Sequence, residues 1–364
     1  VETKDILSYL LPLGPFHPAI RTPQRIVLRA EGEIIHDIEH RGGYQGRDIA
    51  ERVRRSDLAR SYPLINRICG VHAHHHALAW TMALEELAGI DVPQRAHALR
   101  TIAAELERAA SHLQQTTIVF QLLGLTEVEQ QLSTLRDHVL RVMQQLTGHR
   151  LIVDFARPGG VTIDLSAQDQ AQVYDLVMQL AETLYGLAGR IIRRRGFTRR
   201  VAGIGTLQRS AAETLGVAGP VARAAGLQRD ARVDAPYAAY GDARPAQLAQ
   251  TSGDTYARLM LLLLEAYDSL QIILRVLDTL PDGPWQGEIL ESLPVGTSTV
   301  LVEAPAGPLH YTIVSDGTRL TTFKVEAGCA PHRLVWRALL ARQRVEDAAI
   351  IVASVGACTA CAED

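Results

Sequence analysis

Apolar side chains recur at intervals of three and four through the first half of the chain. Leu99, Ile102, Ala103, Leu106, Ala110 and Leu113 fall on one face of a helix that starts at Pro93, a residue suited to a first helical turn. The same spacing predicts helices over 63–87, 126–146 and 256–280. Val173, Leu176, Val177, Leu180, Leu184, Leu187 and Ile191 make another stripe after the turn signal Arg157-Pro158-Gly159-Gly160. Residues 203–250, rich in Gly, Ala and Pro, read as folded loops with short helices. The period drops to two near both ends. Residues 25–30 and 33–39 alternate around Glu31-Gly32, the pattern of a hairpin, while Pro12, Pro15, Pro18 and Pro23 keep the preceding stretch extended. After Pro281-Asp282-Gly283-Pro284, residues 299–303, 310–314 and 321–325 read as a small sheet. The expected fold is α+β and mainly α: a long-helix bundle with small β elements near both termini. Residues 1–45 form the hairpin region, 46–284 the bundle and 285–364 a small sheet, a helix and a cysteine-bearing tail, all in one compact unit.

Composition narrows the function classes. The 364 residues are 47% hydrophobic and 21% charged with a formal net charge of −3, values of an ordinary globular protein. Lys4 and Lys324 are the only lysines, and the arginines are offset by 40 acidic residues, which argues against nucleic acid as a partner. The longest apolar runs, 259–264 and 348–358, fall short of the ~18–20 residues that span a bilayer. No charged stretch followed by an apolar segment opens the chain, so a cytosol-facing location is expected. No glycine-rich phosphate loop precedes a helix, so no nucleotide is expected.

Cys69-Gly70-Val71-His72 and Cys358-Thr359-Ala360-Cys361 each place two metal-ligand types three residues apart, a spacing at which one turn of backbone can present both to a single ion. Three thiolates and an imidazole suit zinc, and thiolates also hold nickel and iron; four ordinary core residues are the alternative. His74, His75 and His76 follow, either as a solvated histidine-rich start of a helix or as site residues. On a helix 72, 75 and 76 share a face that 74 does not. Cys329 has no partner at metal spacing and reads as a packing residue at the start of a helix over 331–341.

Ordered blocks along nearly the whole chain carry a resemblance: Gly14-Pro15-Phe16-His17-Pro18, Arg41-Gly42-Gly43, Arg67-Ile68-Cys69-Gly70, residues 84–93, Arg157-Pro158-Gly159-Gly160-Val161, residues 219–224, Asp234-Ala235-Pro236-Tyr237 and Glu303-Ala304-Pro305. The sequence resembles the large subunits of energy-converting group 4 [NiFe]-hydrogenases and the related 49 kDa-type subunit of respiratory complex I. That resemblance implies the redox-site subunit of a membrane assembly, peripheral on its cytoplasmic side. It also implies a small iron–sulfur subunit that carries electrons, and membrane subunits that move ions.

Carried over position by position, Cys69, Cys358 and Cys361 match the family's nickel thiolates, and His72 stands where the fourth belongs. The family's overhanging arginine is Ala306, after Glu303. Thr22 takes the place of a proton-relaying glutamate a few residues after His17, and the Asp-Pro before the last cysteine pair is Gly356-Ala357. The complex I-like quinone positions align with Arg21 and Trp80. These departures speak against a bridged nickel–iron pair and standard hydrogen chemistry, and favour a single nickel, iron or zinc ion held by Cys69, His72, Cys358 and Cys361, with His76 orienting a ligand or substituting for one. The alternative is a non-redox subunit whose zinc is structural or activates water.

Overall fold

A computed structural model describes residues 8–328 and 332–363. Strand β1 (Ser8–Leu13) pairs antiparallel with β2 (Arg25–Glu31), which pairs with β3 (Ile34–Arg41). The expected hairpin is therefore present, turned at Gly32 with φ 57°. The proline-marked stretch before it adds an edge strand that the sequence marked only as extended.

Helices α1 (Ile49–Arg55) and α2 (Leu58–Ile65) precede α3 (Ala73–Ala88). The single helix expected over 63–87 is thus broken: Pro63 sits inside α2, and residues 66–72 form a loop. The loop's polar groups are satisfied sideways. Asn66 Nδ2 donates to Tyr62 O at 3.0 Å, and the Arg47 guanidinium donates to Arg67 O and Ile68 O, both at 2.7 Å. With those carbonyls taken from outside, no continuous helical ladder is needed through the loop.

The long helices follow as expected: α4 (Gln94–Leu122), α5 (Thr126–Thr147), then, after the short β4 (Ala156–Arg157) and β5 (Gly160–Val161) pair, α6 (Ala167–Arg193). Pro93 occupies the N-cap of α4, one position before its first turn. Ser166 caps α6, its Oγ accepting from Asp169 N at 3.1 Å. Short helices α7 (Arg195–Val201), α8 (Arg209–Thr214), α9 (Gly219–Ala224) and α10 (Ala231–Asp234) fill the glycine-rich region before α11 (Thr255–Asp278). The C-terminal sheet is a meander of β6 (Val295–Ala304), β7 (Gly307–Asp316) and β8 (Leu320–Ala327), followed by α12 (Arg333–Leu340), α13 (Ala348–Val355) and α14 (Ala360–Glu363). The packing role expected for Cys329 lies outside the described residues.

Helix α4 is the axis of the molecule, packed against α5 and α11, with α6 beyond them. One apolar core joins these helices to the N-terminal sheet and to α12 and α13. A second core, with Trp80, Tyr311 and Phe323, lies between α3 and the C-terminal sheet. Between the cores runs buried charge. Arg100 donates to both carboxylate oxygens of Glu85 at 2.6 and 3.0 Å and to the carbonyls of Arg157 and Gly160, tying α4 to α3 and to the Arg-Pro-Gly-Gly turn. No described helix is long and apolar enough to cross a membrane.

Candidate metal centre

The loop between α2 and α3 and the loop after α13 meet beside the β7–β8 end of the C-terminal sheet. There the sulfurs of Cys69, Cys358 and Cys361, all buried, lie within 4.8 Å of one another, with Cys69 and Cys358 3.8 Å apart. Two segments 289 residues apart in sequence thus deliver three thiols to one point. Hydrogen bonds from Cys358 and Cys361 pull the Cys69 thiol well below the ordinary thiol range, against the opposing effect of burial. Three soft donors at this separation, one of them readily ionised, can hold a thiophilic ion such as zinc, nickel or iron.

Each loop is held from several sides. Glu107 of α4 caps α3, which has no side-chain cap of its own: its carboxylate oxygens accept from His74 N at 2.9 Å and His75 N at 3.1 Å. The C-terminal loop is held by Thr22, whose Oγ1 accepts from Thr359 N at 2.9 Å and lies 3.1 Å from Thr359 Oγ1. Gln115 Nε2 donates to Ser354 O at 2.8 Å, just before Gly356, which turns the chain at φ 61°.

All four histidines of residues 72–76 are buried, which overturns the solvated-helix alternative. His74 bonds Arg100 O at 3.2 Å through Nε2, and burial lowers its pKa to about 4. His75 Nδ1 contacts Glu107 at 2.5 Å; burial keeps that imidazole neutral and pushes the Glu107 carboxyl up to about 8. His76 spans the site: Nε2 is 3.1 Å from Cys361 Sγ and Nδ1 is 2.6 Å from Tyr311 Oη. Burial and the nearby thiols raise the Tyr311 pKa far above the phenol range, so its hydroxyl stays protonated. His72 lies beside Cys69 but outside the three-sulfur group, with Nε2 3.2 Å from Ser111 Oγ.

The remaining sequence candidates divide. Ala306 packs against the thiol cluster, where the resemblance places an arginine. Thr22 bonds the cysteine loop, and Arg21 reaches Ser111. Glu303 turns away, accepting from Arg223 at 2.8 Å within the polar core of α4 and α11. Trp80 is fully enclosed, edge-on to Phe323 at 5.5 Å, with no face left for a ring to stack on. His17 accepts from Ala19 N at 3.1 Å in its own turn. Glu107, Ser111 and Gln115 were not singled out from sequence, although their four-residue spacing puts them on one face of a helix too long to leave every polar side exposed.

Residues 123–292 match the family described as respiratory-chain NADH dehydrogenase, 49 Kd subunit. The chain is 28% identical to the carbon monoxide-induced hydrogenase of Rhodospirillum rubrum over 98% of its own length and 99% of that protein. It is 30% identical to a NADH-quinone oxidoreductase chain of Chloroherpeton thalassium, covering 85% of this chain and 77% of the relative. Its fold superposes with a TM-score of 0.92, at 27% identity and over 99% of this chain and 100% of the other, on a chain of the membrane-bound sulfane sulfur reductase, an archaeal respiratory membrane complex.

Proposed function

Because this chain belongs to the family that holds the 49 kDa-type chains of NADH-quinone oxidoreductases and the large subunits of group 4 hydrogenases, we propose that it is the redox-site subunit of its complex, exchanging electrons with a small iron–sulfur partner. It is a subunit of a membrane-bound, hydrogenase-like or complex I-like oxidoreductase. The observation that carries the reading is the convergence of three buried thiols from opposite ends of the chain, a donor set suited to a soft metal ion. A thiolate-held ion supplies a redox or Lewis-acid centre when bound. The chain's own residues shape what surrounds it: Thr22 latches the Cys358–Cys361 loop, Tyr311 and His76 fix the Cys361 side, and Glu107 fixes the Cys69 side.

Two features set this site against hydrogen turnover. The position of the family's arginine is a methyl group packed on the thiols, and the position of its proton relay is a hydroxyl engaged with Thr359. The relatives named for quinone and for sulfane sulfur reduction support another acceptor. Electron flow is coupled to ion movement in the membrane subunits, and the subunit sits on the cytoplasmic side.

The complex purified from its native host tests this. The expected result is co-purification with an iron–sulfur subunit and membrane subunits, turnover with a quinone, ferredoxin or sulfane sulfur, and hydrogen-dependent dye reduction at trace level or none. A stable monomer without such partners, or robust hydrogen turnover, would overturn the reading. Absence of turnover with every acceptor would shift it to the non-redox zinc alternative.

A further inference from the structure

The fourth position of the three-thiol group follows from hydrogen-bond accounting at His72, and the inference rests on the metal reading above. Ser111 Oγ lies 3.2 Å from His72 Nε2, and Arg21 Nη2 donates to that same hydroxyl at 3.1 Å and to Ser111 O at 3.0 Å. A guanidinium offers only hydrogens, so the serine oxygen accepts from Arg21 and its own hydrogen needs an acceptor. Ser111 is 2% exposed, and among the described contacts the acceptor within reach is His72 Nε2. A neutral imidazole that accepts at Nε2 carries its proton at Nδ1. The Nδ1 proton in turn leaves that nitrogen without a lone pair. With Nε2 accepting from Ser111 and Nδ1 protonated, neither nitrogen has a lone pair free for a metal. The geometry agrees: the three sulfurs close within 4.8 Å and no His72 nitrogen joins them.

We propose that His72 is a positioning residue and not a ligand: the Arg21–Ser111 clamp holds its Nε2 turned to the serine, so that an ion on Cys69, Cys358 and Cys361 keeps one coordination position open to a small exogenous anion. A tetrahedral site with three protein ligands and one exchangeable position is the arrangement of reactive centres, whereas four protein ligands close a structural one. The chemical class that fits a soft, three-thiolate ion is an anion such as azide, sulfide or a small thiolate. The Arg21 arm of the clamp keeps its charge throughout the working range.

The test uses the purified complex reloaded with Zn²⁺ for X-ray absorption and with Co²⁺ for visible spectroscopy. The wild type is expected to show three sulfurs at about 2.3 Å and one light atom without the outer-shell scattering of imidazole. Its Co²⁺ bands should shift on addition of azide. His72→Ala should weaken Zn²⁺ binding by about tenfold, the scale of a lost orienting hydrogen bond, and stay far tighter than Cys358→Ser. Ser111→Ala, and separately Arg21→Met, should free the ring, bring imidazole scattering into the spectrum and abolish the azide shift. Imidazole in the wild-type shell, His72→Ala binding as weakly as Cys358→Ser, or an azide response unchanged in both clamp variants would overturn the inference. A complex that binds neither ion would instead bring down the metal reading beneath it.

Discussion

Gly356→Ala probes the support of the Cys358–Cys361 loop with a single methyl group. Gly356 has φ 61°, and a Cβ there would lie 2.2 Å from Gln115 Cδ and 2.3 Å from both terminal atoms of that amide. A left-handed conformation costs an alanine about 1–2 kcal/mol. The Gln115 amide must also move, which breaks its 2.8 Å bond to Ser354 O. A buried carbonyl stripped of its partner costs about 1–3 kcal/mol, so the substitution should cost about 2–5 kcal/mol in all. Because the strain falls two residues before Cys358, Cys358 and Cys361 should also react faster with a thiol reagent. Gln115→Ala alone should cost about 1–3 kcal/mol, the carbonyl's loss. Added to Gly356→Ala it should cost almost nothing, since that bond is already broken. Urea denaturation of the four proteins of this cycle reads these values. Additive costs, or a Gly356→Ala protein within about 0.5 kcal/mol of wild type, would refute the argument, because a surface-like position behaves that way.

Arg100→Met should destabilise by about 3–5 kcal/mol, because it leaves the Glu85 carboxylate and two carbonyls buried without their cation; adding Glu85→Met should recover part of the loss, and a double variant no better than the single one counts against it. Thr22→Val removes the acceptor for Thr359 N–H and should raise the thiol reactivity of Cys358 and Cys361, while Thr22→Ser should behave as wild type; equal behaviour of the two variants would contradict the latch. Glu105 sits at about 2 in the folded protein against 4.5 for a free glutamate, held down by Arg108 and Arg232 over the opposing effect of burial. A depressed carboxyl contributes stability above its unfolded pKa and loses it as pH falls through its folded one. The gap in denaturation midpoint between wild type and Glu105→Gln should therefore be constant above about pH 4.5 and narrow towards pH 3, and a gap that widens on acidification would exclude this.

How far the sequence carried the fold depended on which residues set the local pattern. Helices α4, α5, α6 and α11 were legible because their buried stripes repeat at helical spacing, and the C-terminal meander because its strands alternate. The break at residues 66–72 was not, because its cause is non-local: Arg47 and Asp154 reach in to satisfy loop groups that sequence spacing would give to a helix. At the site, the three cysteines were legible as ligand types at ligand spacing, and the structure brings them together. Sequence could not show that His72 turns to Ser111, since that depends on Arg21 arriving 90 residues away along the chain. Nor could it show that Glu107 caps a helix other than its own. Trp80, chosen for its ring, is spent on packing α3 against Phe323.

Elemental analysis of the complex purified with its partners, combined with infrared spectroscopy, identifies the ion at the three thiols. About one thiophilic ion per copy of this chain is expected, held by its three thiolates and absent from Cys358→Ser, with no bands of iron-bound carbonyl or cyanide. Nickel accompanied by those bands would restore a binuclear hydrogen-converting cluster, and a complex free of metal at this subunit would contradict a redox centre at Cys69, Cys358 and Cys361.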